Sequence, residues 1–123
     1  DEGSTWEALL FASHHNLYNL TIIVDFNKIQ SFGSVKDVLN LDPLESKFQS
    51  FGFECLNIDG HDHKEISSAL SFAKTYKTKP TVIIANTIKG KGVSFMENKL
   101  LWHYKSPDEE QYLEAVKELD APS

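Results

Sequence analysis

The sequence predicts an α/β chain, an open parallel sheet flanked by helices. Apolar, β-branched runs at residues 20–26, 53–58 and 80–86 have the length of strands. Amphipathic segments of helical period separate them, giving the order αβαβαβα. Strands joined through helices pair in parallel, with right-handed crossovers and helices on both faces. Only three strand runs are visible, fewer than the usual sheet of about five or six.

Residues 3–16 read as the first helix, with Ala8, Phe11, Ala12 and His15 spaced along one face and Leu9 and Leu10 widening it. The strand at residues 20–26 follows. Residues 31–40 have no period and contain Gly33, the signature of a loop. Asp42-Pro43-Leu44-Glu45 reads as a helix start, with Asp42 as N-cap, Pro43 as the first helical residue and Glu45 closing a capping box. Leu44, Phe48 and Phe51 form the buried stripe of that helix, and Gly52 stops it.

After the short strand at residues 53–58 comes a turn at Asp59-Gly60-His61. Asp62 and Glu65 make a second capping box, for a helix that runs to Tyr76 and buries Ile66, Ala69, Leu70, Ala73 and Tyr76. The strand at residues 80–86 opens on Pro80, which a first strand position tolerates. The connection at residues 87–105 is longer than most loops of compact domains, and such loops often carry function. Ser106-Pro107-Asp108-Glu109 predicts a last helix capped by Ser106 and burying Tyr112, Ala115, Val116 and Leu119.

Composition narrows the function classes. The chain has 123 residues, room for one domain. A net charge of -6 argues against nucleic acid as the main partner, since phosphate binding needs a basic face. No apolar run reaches the roughly 20 residues that span a bilayer, and no stretch of these residues reads as a signal peptide, so none is expected. A single cysteine, Cys55, excludes an internal disulfide framework and suits a reducing, cytoplasmic compartment. The chain starts on Asp1-Glu2-Gly3 without an initiator Met, which is what a fragment or a trimmed chain would show. Missing strands would leave an exposed sheet edge or apolar face that invites another chain.

The candidate site begins where the first strand run ends in Asp25, Asn27 and Lys28, because ligands of open α/β sheets bind beyond the carboxyl ends of strands. The Asn27 amide oxygen is a hard donor that suits Mg²⁺ or Ca²⁺, and the Ile29 carbonyl could face the same point if the backbone turns at Lys28. Alternatively, Asn27 caps the strand by bonding its own backbone. Lys89-Gly90-Lys91-Gly92 follows a strand and could approach a phosphate, or be a solvated flexible loop. It lacks the Ser or Thr of a P-loop. His103, beside Trp102, is either packed structurally or a proton shuttle in a cleft.

The remaining candidates have plainer readings. His61-Asp62-His63 looks like a metal cluster, but Asp62 is already engaged as a cap. Cys55 reads as a small core residue, and His14 and His15 as a helix end. Glu2 and Glu7 suit the first turn of a helix electrostatically.

Residues Glu2-Gly3-Ser4-Thr5-Trp6-Glu7-Ala8-Leu9-Leu10-Phe11-Ala12-Ser13-His14-His15, Asp25-Phe26-Asn27-Lys28-Ile29-Gln30, residues 87–98 and Trp102-His103 together resemble the thiamine-diphosphate (PP) domain of transketolases. The likeness is greatest to the N-terminal subunit of split transketolases. It implies the thiamine-diphosphate-binding fold, of which this chain holds the C-terminal part. The family's cofactor motif begins with Gly-Asp-Gly and ends in an Asn that Asn27 matches. By resemblance the Asn27 side chain and the Ile29 carbonyl are Mg²⁺ ligands, while Gly-Asp-Gly would lie just before Asp1.

Lys89 and His103 match positions near the cofactor diphosphate and the substrate, which makes His103 the catalytic candidate. Glu2, and with it Glu7, matches acidic positions that couple two cofactor sites across a dimer. Where the family has Gly after that histidine, this chain has Tyr104. The implied reaction moves a two-carbon ketol unit from a ketose phosphate to an aldose phosphate. It needs thiamine diphosphate, Mg²⁺ (or Ca²⁺) and a pyrimidine-binding domain or C-terminal subunit, within a homo- or hetero-oligomer. The glutamate that activates the cofactor comes from that other domain, so the isolated chain is expected to be inactive. Two other readings stand beside this one: another thiamine-diphosphate enzyme, such as 1-deoxyxylulose-5-phosphate synthase, and a non-catalytic assembly module.

Overall fold

The computed structural model describes residues 2–121. In chain order the elements are α1 (Gly3–His14), β1 (Thr21–Phe26), β2 (Ile29–Gln30), β3 (Gly33–Ser34), α2 (Val35–Val38), α3 (Leu44–Ser50), β4 (Glu54–Asp59), α4 (His63–Thr75), β5 (Thr81–Asn86), a 3-10 turn (Leu100–His103) and α5 (Glu109–Leu119). The chain divides into two compact units, Asp1–Phe26 with Leu39–Thr87, and Asn27–Val38 with Ile88–Ser123.

The first unit is the sheet. Its strand order is β1-β5-β4, both pairings are parallel, and Thr21, Thr81 and Glu54 are in register. The parallel α/β expectation holds. The central strand β5 is buried along its first five residues, as its unbroken Thr-Val-Ile-Ile-Ala run demands. On one face Val82 and Ile84 pack with Leu9 and Ala12 of α1, Leu44 and Phe48 of α3, and Phe53. Trp6 completes that core by stacking on Phe48 at 5.7 Å between ring centroids. α4 packs against β4 and buries Ala69 and Ala73.

Several sequence expectations shift. In α1 the inward face is Trp6, Leu9 and Ala12, while Leu10 and Phe11 point outward, Phe11 with 60% exposure. The Trp6 ring, larger than the alternatives, sets the rotation of the helix. Leu70 of α4 is likewise exposed, so that helix buries the small Ala69–Ala73 seam, with Ile66 and Tyr76 half-buried. The α3 cap is not Asp42, because Pro43 is extended (φ -79°, ψ 107°) and itself occupies the cap position without a side-chain bond. Asp62 does cap α4, accepting from the amides of Lys64 and Glu65. Glu65, however, turns to the Asp59 amide at 2.8 Å instead of closing a box. Both β1 and β4 are sheet edges, and Ile23 on β1 is exposed.

The second unit has little hydrocarbon. Residues 31–40, expected as a loop, hold the β3 strand of a hairpin and the one-turn helix α2, elements too short to show a period. α5 is capped by Asp108, not Ser106. Asp108 and Gln111 form a reciprocal box, with the Gln111 amide donating to Asp108 at 2.9 Å and the Asp108 amide to Gln111 at 3.1 Å. Gln111 at the third helical position decides the start, because its side chain can return the bond. Ala115 is buried, but Tyr112, Val116 and Leu119 are exposed, contrary to the expected stripe.

Candidate functional site

At the carboxyl ends of the three parallel strands, the first unit carries a polar rim. The Thr87 hydroxyl donates to the Asp25 carboxylate. The Asn86 amide donates to Asn57 Oδ1 at 2.5 Å and to the Ile58 carbonyl at 3.1 Å. A cleft at this rim is lined by Phe26, Asp42, Glu45, Asn57 and Asn86, among others. Sequence reasoning did not find Asn57 or Asn86, although each sits at or near a strand end, where a polar residue signals the edge of a buried sheet. Gly60 lies against the same strand ends: a Cβ there would meet Thr87 Cγ2 at 2.4 Å, so only glycine permits the approach.

The second unit begins with Asn27, which directly follows β1. Lys28 has a φ of 63°, a left-handed conformation that non-glycine residues seldom adopt. The backbone therefore does turn at Lys28. Asn27 Oδ1 accepts the Ile29 amide at 3.0 Å, and the Lys28 carbonyl accepts the Val35 amide at 2.9 Å. The strand-capping bond read from the sequence is thus formed. It uses one of the two lone pairs that a side-chain amide oxygen carries.

Asn27 and Ile29 are half-buried and would offer a cation neutral, hard oxygens, a donor set that fits Mg²⁺ or Ca²⁺ and not a soft metal. Among the described residues, no group of three or more His, Cys, Asp or Glu side chains could hold a metal ion. The carboxylate and phosphate oxygens that complete such a shell would have to come from elsewhere.

Within the long loop, Gly90 and Gly92 have φ values of 74° and 94°. A Cβ on Gly90 would lie 2.8 Å from the Met96 backbone, so the loop closes tightly on itself. The Asn98 amide donates to the Lys89 carbonyl at 2.9 Å and the Gly92 amide to the Glu97 carboxylate at 3.0 Å. Lys91 faces the same carboxylate at 3.7 Å. Part of the phosphate-seeking equipment read from Lys89-Gly90-Lys91-Gly92 is therefore directed at Glu97, while Lys89 is half-buried.

Trp102 anchors the end of this loop. Its indole N–H donates to the Phe95 carbonyl at 3.0 Å, and its ring packs on Phe95 at 5.2 Å. His103 is left exposed at the end of the 3-10 turn. Its Nε2 lies 3.4 Å from the Ser31 hydroxyl, and the Tyr104 hydroxyl donates to the Ser31 carbonyl. The structure therefore brings His103 to the tip of the hairpin that Asn27 and Ile29 open. Ser31 was missed, and no local signal could have found it, because its partners lie 72 and 73 residues away.

The other candidates have structural surroundings. Asp62 of His61-Asp62-His63 is engaged at the α4 cap. Cys55 is half-buried, and burial, then the carboxylates of Glu45 and Glu54, push its thiol up to about 11. Such a thiol is an inert packing group at neutral pH. Glu2 stands at the α1 cap position without capping the helix and accepts the Ser4 hydroxyl at 3.2 Å. Among the described residues no helix is long and apolar enough to cross a membrane.

Residues 1–119 match the family described as the thiamine diphosphate binding domain of transketolase. The 6-deoxy-6-sulfo-D-fructose transketolase subunit SqwG of Clostridium sp. (strain MSTE9) is 45% identical over 98% of this chain and 44% of its own length. An apulose-4-phosphate transketolase subunit from Actinobacillus succinogenes is 43% identical over 96% of this chain and 42% of its own. The crystal structure of a transketolase from Campylobacter jejuni superposes with a TM-score of 0.89 at 37% identity, covering 96% of this chain and 18% of that one. The chain thus spans less than half the length of these relatives. With its parallel sheet and nearly its whole length matched, the chain belongs to the transketolase family, within the thiamine-diphosphate-binding domain.

Proposed function

We propose that this chain forms part of a transketolase-like transferase that moves a two-carbon ketol unit from a ketose phosphate to an aldose phosphate. Asn27 and the Ile29 carbonyl hold Mg²⁺, Lys89 faces the cofactor diphosphate, and His103 faces the sugar. When bound, thiamine diphosphate supplies the carbanion chemistry, and the protein supplies position and electrostatics. The observation that carries this reading is the left-handed turn at Lys28, which sets Asn27 and Ile29 on one bend immediately after a parallel strand.

Neither the carboxylate that shares the metal nor the glutamate that activates the cofactor is assigned to a residue of this chain. Both are expected from outside residues 1–123, the second from a pyrimidine-binding domain or C-terminal subunit in a homo- or hetero-oligomer. The isolated chain is accordingly inactive. The protein works in the cytoplasm, where sugar phosphates are found. The Clostridium and Actinobacillus relatives are named for a sulfonated and a phosphorylated ketose, and this chain's protein takes a ketose with an anionic terminus of that kind.

The test is calorimetric titration of thiamine diphosphate with Mg²⁺ into the protein that carries this chain, assembled with its pyrimidine-binding partner. Binding that weakens at least about tenfold in Asn27→Ala, the size expected for a lost metal ligand or its support, is the expected result. Unchanged binding in that variant would remove Asn27 from the site. No binding by the assembled protein would favour a non-catalytic assembly module.

A further inference from the structure

The hairpin tip and the His103 turn are joined by two bonds to one residue. The Tyr104 hydroxyl donates to the Ser31 carbonyl, and the Ser31 hydroxyl lies 3.4 Å from His103 Nε2. The imidazole and phenol rings stand edge to face, 4.9 Å apart at 88°. The two sides of this junction differ in support. The His103 turn is fixed independently, by the Trp102 bond to Phe95 and by the Tyr104 and Lys105 amides, which both donate to the Leu101 carbonyl. The hairpin has two-residue strands, and Phe32 at its tip is 85% exposed.

We propose that Tyr104 is a positioning residue. Its hydroxyl, by holding the Ser31 carbonyl, keeps the Ser31 hydroxyl against His103 and thereby sets the orientation and tautomer of the imidazole. A serine hydroxyl can donate to an unprotonated ring nitrogen or accept from a protonated one. Whichever bond forms at Nε2 decides which ring nitrogen is offered to a neighbouring group. Tyr104 thus contributes without touching substrate. It is 63% exposed, so its hydroxyl can be removed without opening a core.

This inference rests on the reading of His103 as the residue facing the sugar, but one of its readouts does not. In the assembled protein, ring nitrogen signals of His103 are recorded by NMR with ¹⁵N-labelled histidine, for the unaltered protein, Tyr104→Phe, Ser31→Ala and the double variant. The expected result is a changed tautomer ratio in each single variant, with little further change in the double, because both act through one contact. His103 signals that are the same in Tyr104→Phe as in the unaltered protein would overturn the proposal, as would independent, additive changes.

In two-carbon transfer, Tyr104→Phe lowers kcat/KM by about two- to tenfold, the size of one neutral hydrogen bond, with an unchanged thermal midpoint. If the unaltered protein transfers no ketol unit, the proposed function fails, and the ring nitrogen signals alone decide whether Tyr104 positions His103.

Discussion

In the unit built on β1, β5 and β4 the interior is hydrocarbon: Leu9, Phe48, Phe53, Val82 and Ile84 meet in one cluster, and Trp6 stacks on Phe48 and meets Phe51 at a tilt. In the unit built on the hairpin, the long loop and α5, the buried hydrophobic residues among those described are Val35, Val93 and Ala115. Polar bonds take over there: Asn27 to Ile29, Tyr104 to Ser31, Gly92 to Glu97, and Ser94 to Glu118. Positive φ values recur in that unit at Lys28, Gly33, Gly90, Gly92 and Asn98. The difference separates two tasks. A buried sheet tolerates changes of shape poorly, and its directional bonds come from the regular backbone ladder whatever the side chains are. A site must hold particular atoms at particular places, and directional bonds and fixed turns do this where burial cannot.

The sheet unit is most vulnerable at Phe48. Its side chain is almost fully buried between Trp6 and Phe53, so Phe48→Ala removes ring stacking and leaves a cavity. The expected loss is about 3–5 kcal/mol of unfolding free energy, measured by denaturant titration. For a domain of ordinary stability this is a large share of the total. A loss below about 1 kcal/mol would mean that the sheet unit is not held by this cluster.

A smaller change of opposite sign sharpens the contrast. Thr81 is fully buried at the start of β5, and its hydroxyl has no hydrogen-bond partner among the described residues. In the hydrocarbon unit such a group is a liability. Thr81→Val keeps the shape and removes the buried hydroxyl, so it should stabilise by about 1 kcal/mol, read from the same denaturant midpoint. Destabilisation of that size would indicate that the hydroxyl has a partner after all.

The same division governs what could be read from the sequence. The β1 and β5 runs, the Gly52 stop and the Asp62 cap were legible because burial and capping write local patterns. The rotation of α1 was not, since Trp6 outweighs Phe11 only once Phe48 and Phe51 are in place to receive it. The α5 cap was misplaced because Ser106-Pro107 offers the same pattern as Asp108, and only the reciprocal Gln111 bond separates them. At the candidate site, the turn at Lys28 could be anticipated from Asn27, but the Ser31 junction with His103 and Tyr104 depends on contacts 72 and 73 residues apart. Polar contacts of that range leave no period behind.

The smallest expected effect lies in the polar unit and depends on pH. The Glu118 carboxylate accepts the Ser94 hydroxyl at 2.6 Å and the Ser94 amide at 2.5 Å, which ties the long loop to α5. These two bonds, the hydroxyl first, hold its pKa below the usual glutamate range, against a smaller opposing effect of burial. Because the folded value is depressed, the tie is fully present above the ordinary glutamate pKa and is lost as the pH falls through the depressed folded value. Hydrogen exchange at the Ser94 amide, followed downward from neutral pH and corrected for intrinsic rates, should therefore lose protection in that acidic window. Amides of β5 should keep theirs there. Glu118→Gln keeps an acceptor but removes the titration, so its Ser94 protection should be flat with pH over the same window. A pH dependence that persists in this variant would place the acid-sensitive contact elsewhere in the loop and deny Glu118 its part in holding a unit that has so little hydrocarbon of its own.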